Sequence, residues 1–438
     1  MTGWSAGADD ARTSRRNRRD KLRTRYTMES GGTQTTNCRS CGGTDLHPVV
    51  DLGSTPIANA LLSTADQPVD SYPLGTVFCA DCSLVQLSFA LPADAIFDED
   101  YPYFSSFSAA LCDHAAAHVD NLIASRGLGP DSFAVEVASN DGYLLRNFVA
   151  AGIPALGIDP SPGPAAAAEE VGVPTIVGFF GTEAANKIVA EHGHAHVIIA
   201  NNVMAHVPEL NDFVGGFATL LAEDGVLTVE NPYVRDMIQH VEFDTIYHEH
   251  YCYYSCMAVE ALMARHGLYL NDVEYFPDMH GGTLRWHIER TPHRTTRCQD
   301  MLDAERALGM AEPGFYADYA TKVTECQQGL RDLLATFAAE GKTVAAYGAA
   351  AKGATLLNST GIGNDVVRYV VDRNTHKQHK FIPGCTLEIR PVEVLLEDQP
   401  DYLLLLAWNF ADEIMSQQQE YASRGGQFVV PVPMPRIV

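Results

Sequence analysis

The fold is decided at Phe133-Ala-Val-Glu-Val-Ala138, a short apolar strand, and at the turn that follows it, Ser139-Asn-Asp-Gly-Tyr143. A strand of this kind, ended by turn residues that open a helix, is typical of a βαβ unit. Similar strands recur at Ala155-Leu-Gly-Ile-Asp159, His196-Val-Ile-Ile-Ala-Asn-Asn202 and Gly225-Val-Leu-Thr-Val-Glu230. The alternation predicts a parallel, doubly wound α/β sheet that binds ligands at the carboxyl ends of its strands.

Two further segments complete the predicted architecture downstream. Residues 268–276 and 282–289 predict an antiparallel hairpin that closes the central sheet. Residues 295–340 have helical periodicity, and a second βα series follows at 343–353, 366–372, 402–406 and 428–432. We therefore assign residues 101–295 to a central domain, and residues 296–438 to a helical linker with a smaller Rossmann-like domain.

Four cysteines near the N-terminus have the spacing of a metal site. Cys38 and Cys41 form one Cys-x-x-Cys pair and Cys79 and Cys82 form another, with 37 residues between the pairs. Two such pairs beside turn-forming residues are typical of a tetrahedral zinc knuckle, and four sulfur ligands leave no open coordination position. We predict a structural Zn²⁺ in a domain of residues 37–100, from which residues 52–76 loop out. Four unrelated thiols are the alternative.

Charge is unevenly divided along the 438 residues, whose net charge is −25. Residues 1–36 contain eight Lys and Arg against four acids, which leaves −29 for the rest of the chain. So acidic a body argues against nucleic acid as a partner, because phosphate contacts need clustered basic side chains. No segment has the length of a membrane span or the apolar core of a signal peptide. We interpret residues 1–36 as a disordered basic leader, and expect a cytoplasmic monomer that does not bind membranes.

The turn after the first strand indicates the cofactor of the central domain. It has a single glycine where a dinucleotide fingerprint has three, and its carboxylates would repel a pyrophosphate. They suit a cofactor with a cationic amino-acid end and no phosphate, which favours S-adenosylmethionine over NAD. An acid at the end of the next strand can accept both ribose hydroxyls. The predicted cofactor residues are Glu136, Ser139, Asn140, Asp141, Gly142, Asp159, Asn201 and Asn202.

Five segments occur in an order that resembles one known family. They are the paired Cys-x-x-Cys motifs, Glu136-Val-Ala-Ser-Asn-Asp-Gly142, Asn201-Asn-Val-Met-Ala-His-Val-Pro208, Tyr247-His-Glu-His250 and Tyr347-Gly-Ala-Ala-Ala-Lys-Gly353. Together they make the chain similar to the sugar C-methyltransferases of deoxysugar biosynthesis. Among these it most resembles the enzymes that act at C-3 of TDP-linked 3-amino-4-keto-2,3,6-trideoxyhexoses, as in the tetronitrose pathway. The resemblance covers residues 37–438, and implies a class I methyltransferase domain with S-adenosylmethionine and Zn²⁺ as cofactors.

The segment Tyr247 to His250 places a phenol, two imidazoles and a carboxylate side by side, which indicates either acid–base chemistry or a packed polar loop. The resemblance implies the former. The C-4 ketone acidifies the C-3 proton, a base removes it, and the enolate carbon attacks the methyl group of S-adenosylmethionine. His250 would be the base, and Tyr247 would hydrogen-bond the substrate or the enolate oxygen. Glu249 and His206 would orient groups or relay protons, whereas His248 stays outside the catalytic set.

Candidate contacts to the TDP-sugar come from two places. Tyr101 and Tyr103 belong to an aromatic cluster that either lines the site or packs between domains. Lys352, on a small-residue turn before a helix, and Arg373, after a later strand, offer positive charge to the pyrophosphate.

Three other functions remain open at this point. The first is the same methylation on a sugar with a 3-hydroxyl group. The second is a nucleotide-sugar oxidoreductase with NAD on the C-terminal turn, where Gly348 and Gly353 match the outer glycines of the dinucleotide fingerprint. The third is a zinc-containing scaffold without activity.

Overall fold

The computed structural model describes residues 31–96, 104–279 and 281–438, so most of the predicted leader lies outside the described residues. The N-terminal strands are β1 (Thr33–Gln34), β2 (Leu46–Thr55), β3 (Tyr72–Cys79), β4 (Val85–Leu87) and β5 (Phe89–Ala90). Strand β1 pairs with β5, so described structure starts before the expected boundary at residue 37.

Strands β2 and β3 form a long antiparallel hairpin, paired from Leu46 opposite Cys79 to Thr55 opposite Tyr72, and β3 also pairs with β4. The expectation that residues 52–76 loop out is therefore wrong, because only residues 56–71 connect the two strands. The hairpin forms because Val50 and Leu52 on one strand and Leu74 on the other bury their side chains in the core.

The central domain alternates strands and helices as predicted. Its first part contains α1 (Ala109–Arg126), β6 (Ala134–Val137), α2 (Leu145–Ala150), β7 (Ala155–Asp159), α3 (Pro162–Glu170), β8 (Thr175–Val177), α4 (Thr182–His192) and β9 (Ala195–Asn201). Its second part contains α5 (Leu210–Leu220), β10 (Leu221–Pro232), α6 (Val234–Gln239), β11 (Cys252–Tyr253), α7 (Cys256–Ala264), β12 (Tyr269–Phe276) and β13 (Thr283–Glu289).

Among the described residues the central sheet has the order β12-β13-β10-β9-β6-β7-β8. Strands β6 to β10 run parallel, and β12 and β13 form the antiparallel hairpin at one edge. Strand β9 is buried on both faces from Val197 to Ala200, as a central parallel strand requires. The predicted doubly wound sheet and its closing hairpin are confirmed.

The C-terminal domain repeats the α/β pattern on a smaller scale. Its elements are α8 (Thr296–Ala307), α9 (Tyr319–Ala339), β14 (Val344–Tyr347), α10 (Ala351–Thr360), β15 (Val370–Val371), β16 (Ile389–Arg390), α11 (Val394–Asp398), β17 (Tyr402–Leu405), α12 (Ala411–Gln417), α13 (Gln419–Ser423), β18 (Gln427–Val430) and β19 (Arg436–Ile437). The sheet order is β16-β15-β14-β17-β18-β19, with β19 antiparallel at one edge. Across the described ranges, no helix has the length and apolarity needed to cross a membrane.

Strand β11 joins the central domain to the N-terminal sheet. Cys252 and Tyr253 pair antiparallel with Gln86 and Val85 of β4, which places β11 at the edge of the sheet that contains β2 and β3. The neighbouring residue Tyr251 donates its backbone N–H to the carbonyl of Ala205, which lies in the central domain, with an N···O distance of 2.7 Å. The chain around β11 is therefore held by backbone hydrogen bonds to both domains.

Glu305 attaches α8 to the start of α7. Its carboxylate, which is fully buried, accepts the backbone N–H groups of Cys256 at 2.7 Å and of Met257 at 2.9 Å. The hydroxyl of Tyr233 donates to the same carboxylate at 2.9 Å. These N–H groups have no partner inside their own helix, so Glu305 helps to cap α7 beside its N-cap residue, Ser255.

Glu305→Ala should destabilise the fold, because it leaves two backbone donors and a phenol without their acceptor. We expect the free energy of unfolding to fall by about 3 kcal/mol, as measured by urea titration followed by tryptophan fluorescence. Glu325→Ala, on the exposed surface of α9, is the matched control and should leave the curve unchanged. Equal unfolding midpoints for the two variants would contradict this role of Glu305.

Candidate active site

His250 and Tyr247 form a hydrogen-bonded pair in the loop before β11. The Nδ1 atom of His250 lies 2.9 Å from the carbonyl oxygen of Thr245, and its Nε2 atom lies 2.7 Å from the hydroxyl of Tyr247. A carbonyl can only accept, so Nδ1 carries the proton of the neutral imidazole and Nε2 keeps its lone pair. The geometry thus presents a basic nitrogen beside a phenolic donor.

His206 lies next to this pair. It ends the 3-10 turn Met204–His206 that follows β9, and its ring meets the ring of His250 edge-on, with centroids 4.8 Å apart. Burial lowers the pKa of His206 to about 4. His206 is therefore neutral near pH 7, and it can stand beside His250 without charge repulsion.

Glu249 and His248 face other partners. The carboxylate of Glu249 accepts a hydrogen bond from the side-chain amide of Asn59 at 2.7 Å. Burial raises the pKa of Glu249 to about 7, against the lowering effects of this bond and of the charge on Lys377. The ring of His248 packs edge-on against Tyr72, 6.0 Å away, and burial lowers its pKa to about 4. The structure brings together Tyr247, His250 and His206, and directs Glu249 toward the neighbouring domains.

The predicted cofactor turn lies at the carboxyl end of β6. Ala138 and Asn140 have φ angles of +57° and +50°, in the left-handed region that non-glycine residues seldom occupy. Asp159, at the end of β7, stabilises this turn by accepting the backbone N–H groups of Asn140 at 2.9 Å and of Ser161 at 2.8 Å. A Cβ atom on Gly157 would lie 2.3 Å from the Ser139 hydroxyl, so the packing of this turn against β7 requires a glycine there.

Buried acceptors around this turn fit a cationic ligand. Within the described residues no donor reaches Oε2 of Glu136, Oδ1 of Asp141 or Oδ1 of Asn201. Burial raises the pKa of Glu136 well above its usual range, and the nearby Asp159 and Asp141 raise it further. Excess negative charge with unused acceptors suits a ligand that brings both positive charge and N–H donors, as the amino-acid end of S-adenosylmethionine does.

The remaining predicted cofactor residues also follow the carboxyl ends of strands β6 and β9. Asn202 follows β9 with a φ of +54° and donates its backbone N–H to the carbonyl of Glu230 at 2.7 Å. Gly142 precedes α2 and has a φ of +74°. A Cβ atom added at Gly142 would lie 3.1 Å from the side chain of Val173. The segment before α1 covers the turn, since Ser105 donates its backbone N–H to the Asn140 side chain at 2.8 Å.

The four predicted metal ligands converge in the N-terminal domain. Their sulfur atoms all lie within 4.8 Å of one another, with Cys38 and Cys82 separated by 3.5 Å and Cys41 and Cys79 by 3.6 Å. A tetrahedron with zinc–sulfur bonds of about 2.3 Å has edges of about 3.8 Å, which these distances approach. The donor set and its geometry fit a structural Zn²⁺ ion.

The candidate substrate residues are scattered. Tyr101 and Tyr103 lie outside the described residues, while the ring of Phe104 stacks against His376 of the C-terminal domain with centroids 6.3 Å apart. The ammonium nitrogen of Lys352 is buried 5.1 Å from the ring centre of Trp408. Arg373 is exposed and lines an open cleft of about 520 Å³ together with Gln378 and Gln417, among others. The structure does not bring Lys352 and Arg373 to a common anion site.

Sequence reasoning missed the partners that come from distant segments. Asn59, 190 residues away, holds Glu249. Lys377 belongs to the C-terminal domain and donates to the carbonyl of Ala349 at 2.9 Å. No motif marks these residues, because their roles arise only where three domains meet.

Comparisons with known proteins match three successive stretches of the chain. Residues 38–97 match a family described as "Putative zinc binding domain", residues 122–273 match "Methyltransferase domain", and residues 278–433 match "C-methyltransferase C-terminal domain". C-methyltransferase NovU from Streptomyces niveus is 36% identical over 406 residues, which span 92% of this chain and 96% of that protein. The chain belongs to the C-methyltransferase family.

Solved structures that are similar to the chain share only part of it. Magnesium protoporphyrin IX methyltransferase from Synechocystis PCC 6803 with bound SAM is 14% identical, and the match covers 41% of this chain and 79% of that one at a TM-score of 0.32. An S-adenosylmethionine-dependent methyltransferase from Clostridium acetobutylicum ATCC 824 is 11% identical, with coverage of 40% and 91% and a TM-score of 0.34. Likeness at this level carries no argument about the site.

These findings confirm the main expectations for this C-methyltransferase. It is an S-adenosylmethionine-dependent methyltransferase with a class I central domain, a zinc-binding N-terminal domain and an α/β C-terminal domain. The resemblance inferred from its motifs is likewise confirmed by the relative that aligns over nearly the whole chain. The roles of individual residues in the crevice stay predictions.

Cys82→Ser should remove the metal, because a hydroxyl replaces one of the four thiolate ligands. We expect the zinc content, measured by plasma mass spectrometry, to fall from one atom per chain to a small fraction, with a lower melting temperature. Cys112→Ser, outside the cluster, should retain the metal. Full zinc content in the Cys82 variant would contradict the assignment.

Asp141→Asn should weaken S-adenosylmethionine binding, because it keeps the size of the side chain and removes a buried negative charge. We expect a dissociation constant about tenfold higher by calorimetry, since a hydrogen bond to a charged group contributes about 1.5 kcal/mol. Asp131→Asn, at an exposed position, is the control. An unchanged affinity in the Asp141 variant would exclude that carboxylate from the cofactor site.

Proposed function

We propose that this enzyme methylates C-3 of a TDP-linked 3-amino-4-keto-2,3,6-trideoxyhexose. The proposal is carried by the hydrogen-bonded pair of His250 and Tyr247. The carbonyl of Thr245 fixes its tautomer, so that Nε2, which accepts the hydroxyl of Tyr247, is the nitrogen that can take a proton from carbon beside a ketone once that hydroxyl turns to the substrate. Its phenol can hydrogen-bond the oxyanion that forms. The choice of sugar rests on the resemblance in the sequence motifs.

The reaction begins when Nε2 of His250 takes the C-3 proton. The electron pair of the C–H bond forms the C-3–C-4 double bond of an enolate, and the negative charge moves to the C-4 oxygen. Tyr247 turns its O–H from His250 to this oxygen, while the carbonyl of Thr245 stabilises the imidazolium through Nδ1–H. The neutral imidazole of His206 adds no competing charge.

The enolate carbon then attacks the methyl group that S-adenosylmethionine supplies. The C-4 ketone re-forms as the carbon–carbon bond is made, and the electrons of the broken carbon–sulfur bond stay on sulfur. His250 returns its proton to water. On this proposal Glu136, Asp141 and Asp159 bind the cofactor, and the crevice orients it toward C-3.

The TDP group is proposed to lie against the C-terminal domain. Arg373 in its open cleft is the preferred pyrophosphate contact, with Tyr101 and Tyr103 as further candidates near the sugar. The turn at Gly348 is a poorer anion site, because the carboxylate of Asp372 already accepts the backbone N–H of Ala349 at 2.7 Å. The same carboxylate would repel the pyrophosphate of NAD, which weighs against the oxidoreductase alternative.

His250→Asn should abolish turnover while leaving the cofactor site intact. The test incubates the enzyme with S-adenosylmethionine and the TDP-amino-keto sugar in heavy water, followed by mass spectrometry of the sugar. We expect one added methyl group with the wild type, and with His250→Asn a rate lower by about 10²-fold or more. His240→Asn, an exposed histidine on the same segment, is the control.

Tyr247→Phe should also lower kcat, because the enolate loses a hydrogen-bond donor. An effect confined to KM would reassign this tyrosine to substrate binding. Near-normal turnover with His250→Asn would remove His250 as the base. Methylation of only the sugar with a 3-hydroxyl group would overturn the proposed substrate while leaving the carbon-acid mechanism in place.

A further inference from the structure

The turn that holds His250 is itself held by the C-terminal domain. The 3-10 turn Phe243–Thr245 ends at the residue whose carbonyl accepts the Nδ1–H of His250. The preceding residue, Asp244, has no solvent exposure, and its carboxylate accepts the indole N–H of Trp408 at 2.6 Å. Helix α10 packs against the same turn. The C-terminal domain therefore contacts the segment that sets the tautomer of His250.

Lys352 of α10 supplies the positive charge at this contact. Its ammonium nitrogen is buried over the ring of Trp408, and within the described ranges no acceptor lies at hydrogen-bond distance from it. Such a buried cation is stable only beside negative charge or an aromatic face, and Asp244 and Trp408 provide both. The charge of Lys352 also lowers the pKa of Asp244, so the two side chains interact electrostatically.

We propose that Lys352 and Trp408 are positioning residues for proton abstraction by His250. They keep Asp244 ionised and bound to the indole N–H, which fixes the Thr245 carbonyl against the Nδ1–H of His250. This inference rests on the proposed role of His250 as the base. It gives the C-terminal domain a part in the chemical step in addition to holding the nucleotide.

The charges around Asp244 give the proposal a measurable signature. Burial, with a smaller contribution from the nearby Glu242, raises the pKa of Asp244 to about 6, against the lowering effects of Lys352 and of the bond from Trp408. Tyr319 and Cys326 of α9 also face Asp244, but burial raises the pKa of both, that of Cys326 to about 12, so they stay neutral.

The sign of the effect follows from these charges. Above about pH 6 Asp244 is ionised and binds the indole N–H strongly; below it the carboxyl is protonated and the bond weakens. Removing Lys352 raises this pKa, so the acid limb of the rate profile should move to higher pH.

The experiment measures deuterium exchange at C-3 of the TDP-amino-keto sugar from about pH 5 to pH 9. It compares the wild type with Lys352→Met, Lys352→Arg and Trp408→Phe. In Lys352→Met and Trp408→Phe we expect exchange about tenfold slower at pH 7, and an acid limb about one pH unit higher. The dissociation constant of S-adenosylmethionine should change by less than about twofold. Lys352→Arg keeps the charge and should keep the wild-type limb.

Lys322→Met, which removes a partly exposed lysine on α9, is the control and should match the wild type. Slower exchange without a shifted limb would overturn the positioning role, since it would indicate general packing damage. Wild-type exchange in both Lys352→Met and Trp408→Phe would overturn it as well. No exchange in the wild type itself would overturn the proposed function and the positioning role together, which distinguishes the two failures.

Discussion

The pairing of β11 with β4 is the interaction on which the rest of the site depends. Strand β11 starts two residues after His250, and its backbone completes the edge of the N-terminal sheet. In that sheet β4 pairs with β3, and β3 ends at Cys79, one of the metal ligands. The proposed base is therefore connected to the metal site through the pairing of β11 with β4 and of β4 with β3. Because a two-residue strand is weak alone, this pairing needs the support of the metal and of the buried aromatic residues around it.

The central domain places two electrostatically different regions side by side. Around the first βα turn, carboxylates and amide oxygens gather with few donors, which suits a cationic cofactor. Around the 247–250 loop, burial keeps His206 and His248 neutral, so the imidazole of His250 is not surrounded by other cations. Low-dielectric surroundings strengthen the electrostatic interactions of every charge that the reaction creates. The two regions meet at the carboxyl ends of β6 and β9, where a doubly wound sheet places its ligands.

The sequence predicted much of this arrangement for identifiable physical reasons. Apolar runs of strand length such as Val197 to Ala200 identify a buried parallel sheet, and paired Cys-x-x-Cys motifs identify a metal site, because both signals are local. Residues 52–76 were predicted to loop out although both ends of this range belong to the hairpin, since its bulges disturb the alternation that marks a strand. The contacts of Asp244 with Trp408 and of Glu249 with Asn59 join residues more than a hundred positions apart, and no spacing rule reveals them. Lys352 shows the same limit, because a basic residue at a helix start suggests an anion site until its buried surroundings are known.

The central claim is that a carbon atom beside a ketone, activated by His250, receives the methyl group. The most direct test supplies S-adenosylmethionine labelled with ¹³C in its methyl group and locates that carbon in the purified sugar nucleotide by NMR. The account predicts a methyl signal correlated with C-2, C-3 and C-4 of the hexose, with no proton left at C-3. A labelled methyl group bonded to nitrogen or oxygen would contradict the carbon-acid mechanism, and one bonded to another carbon would contradict the proposed site of attack.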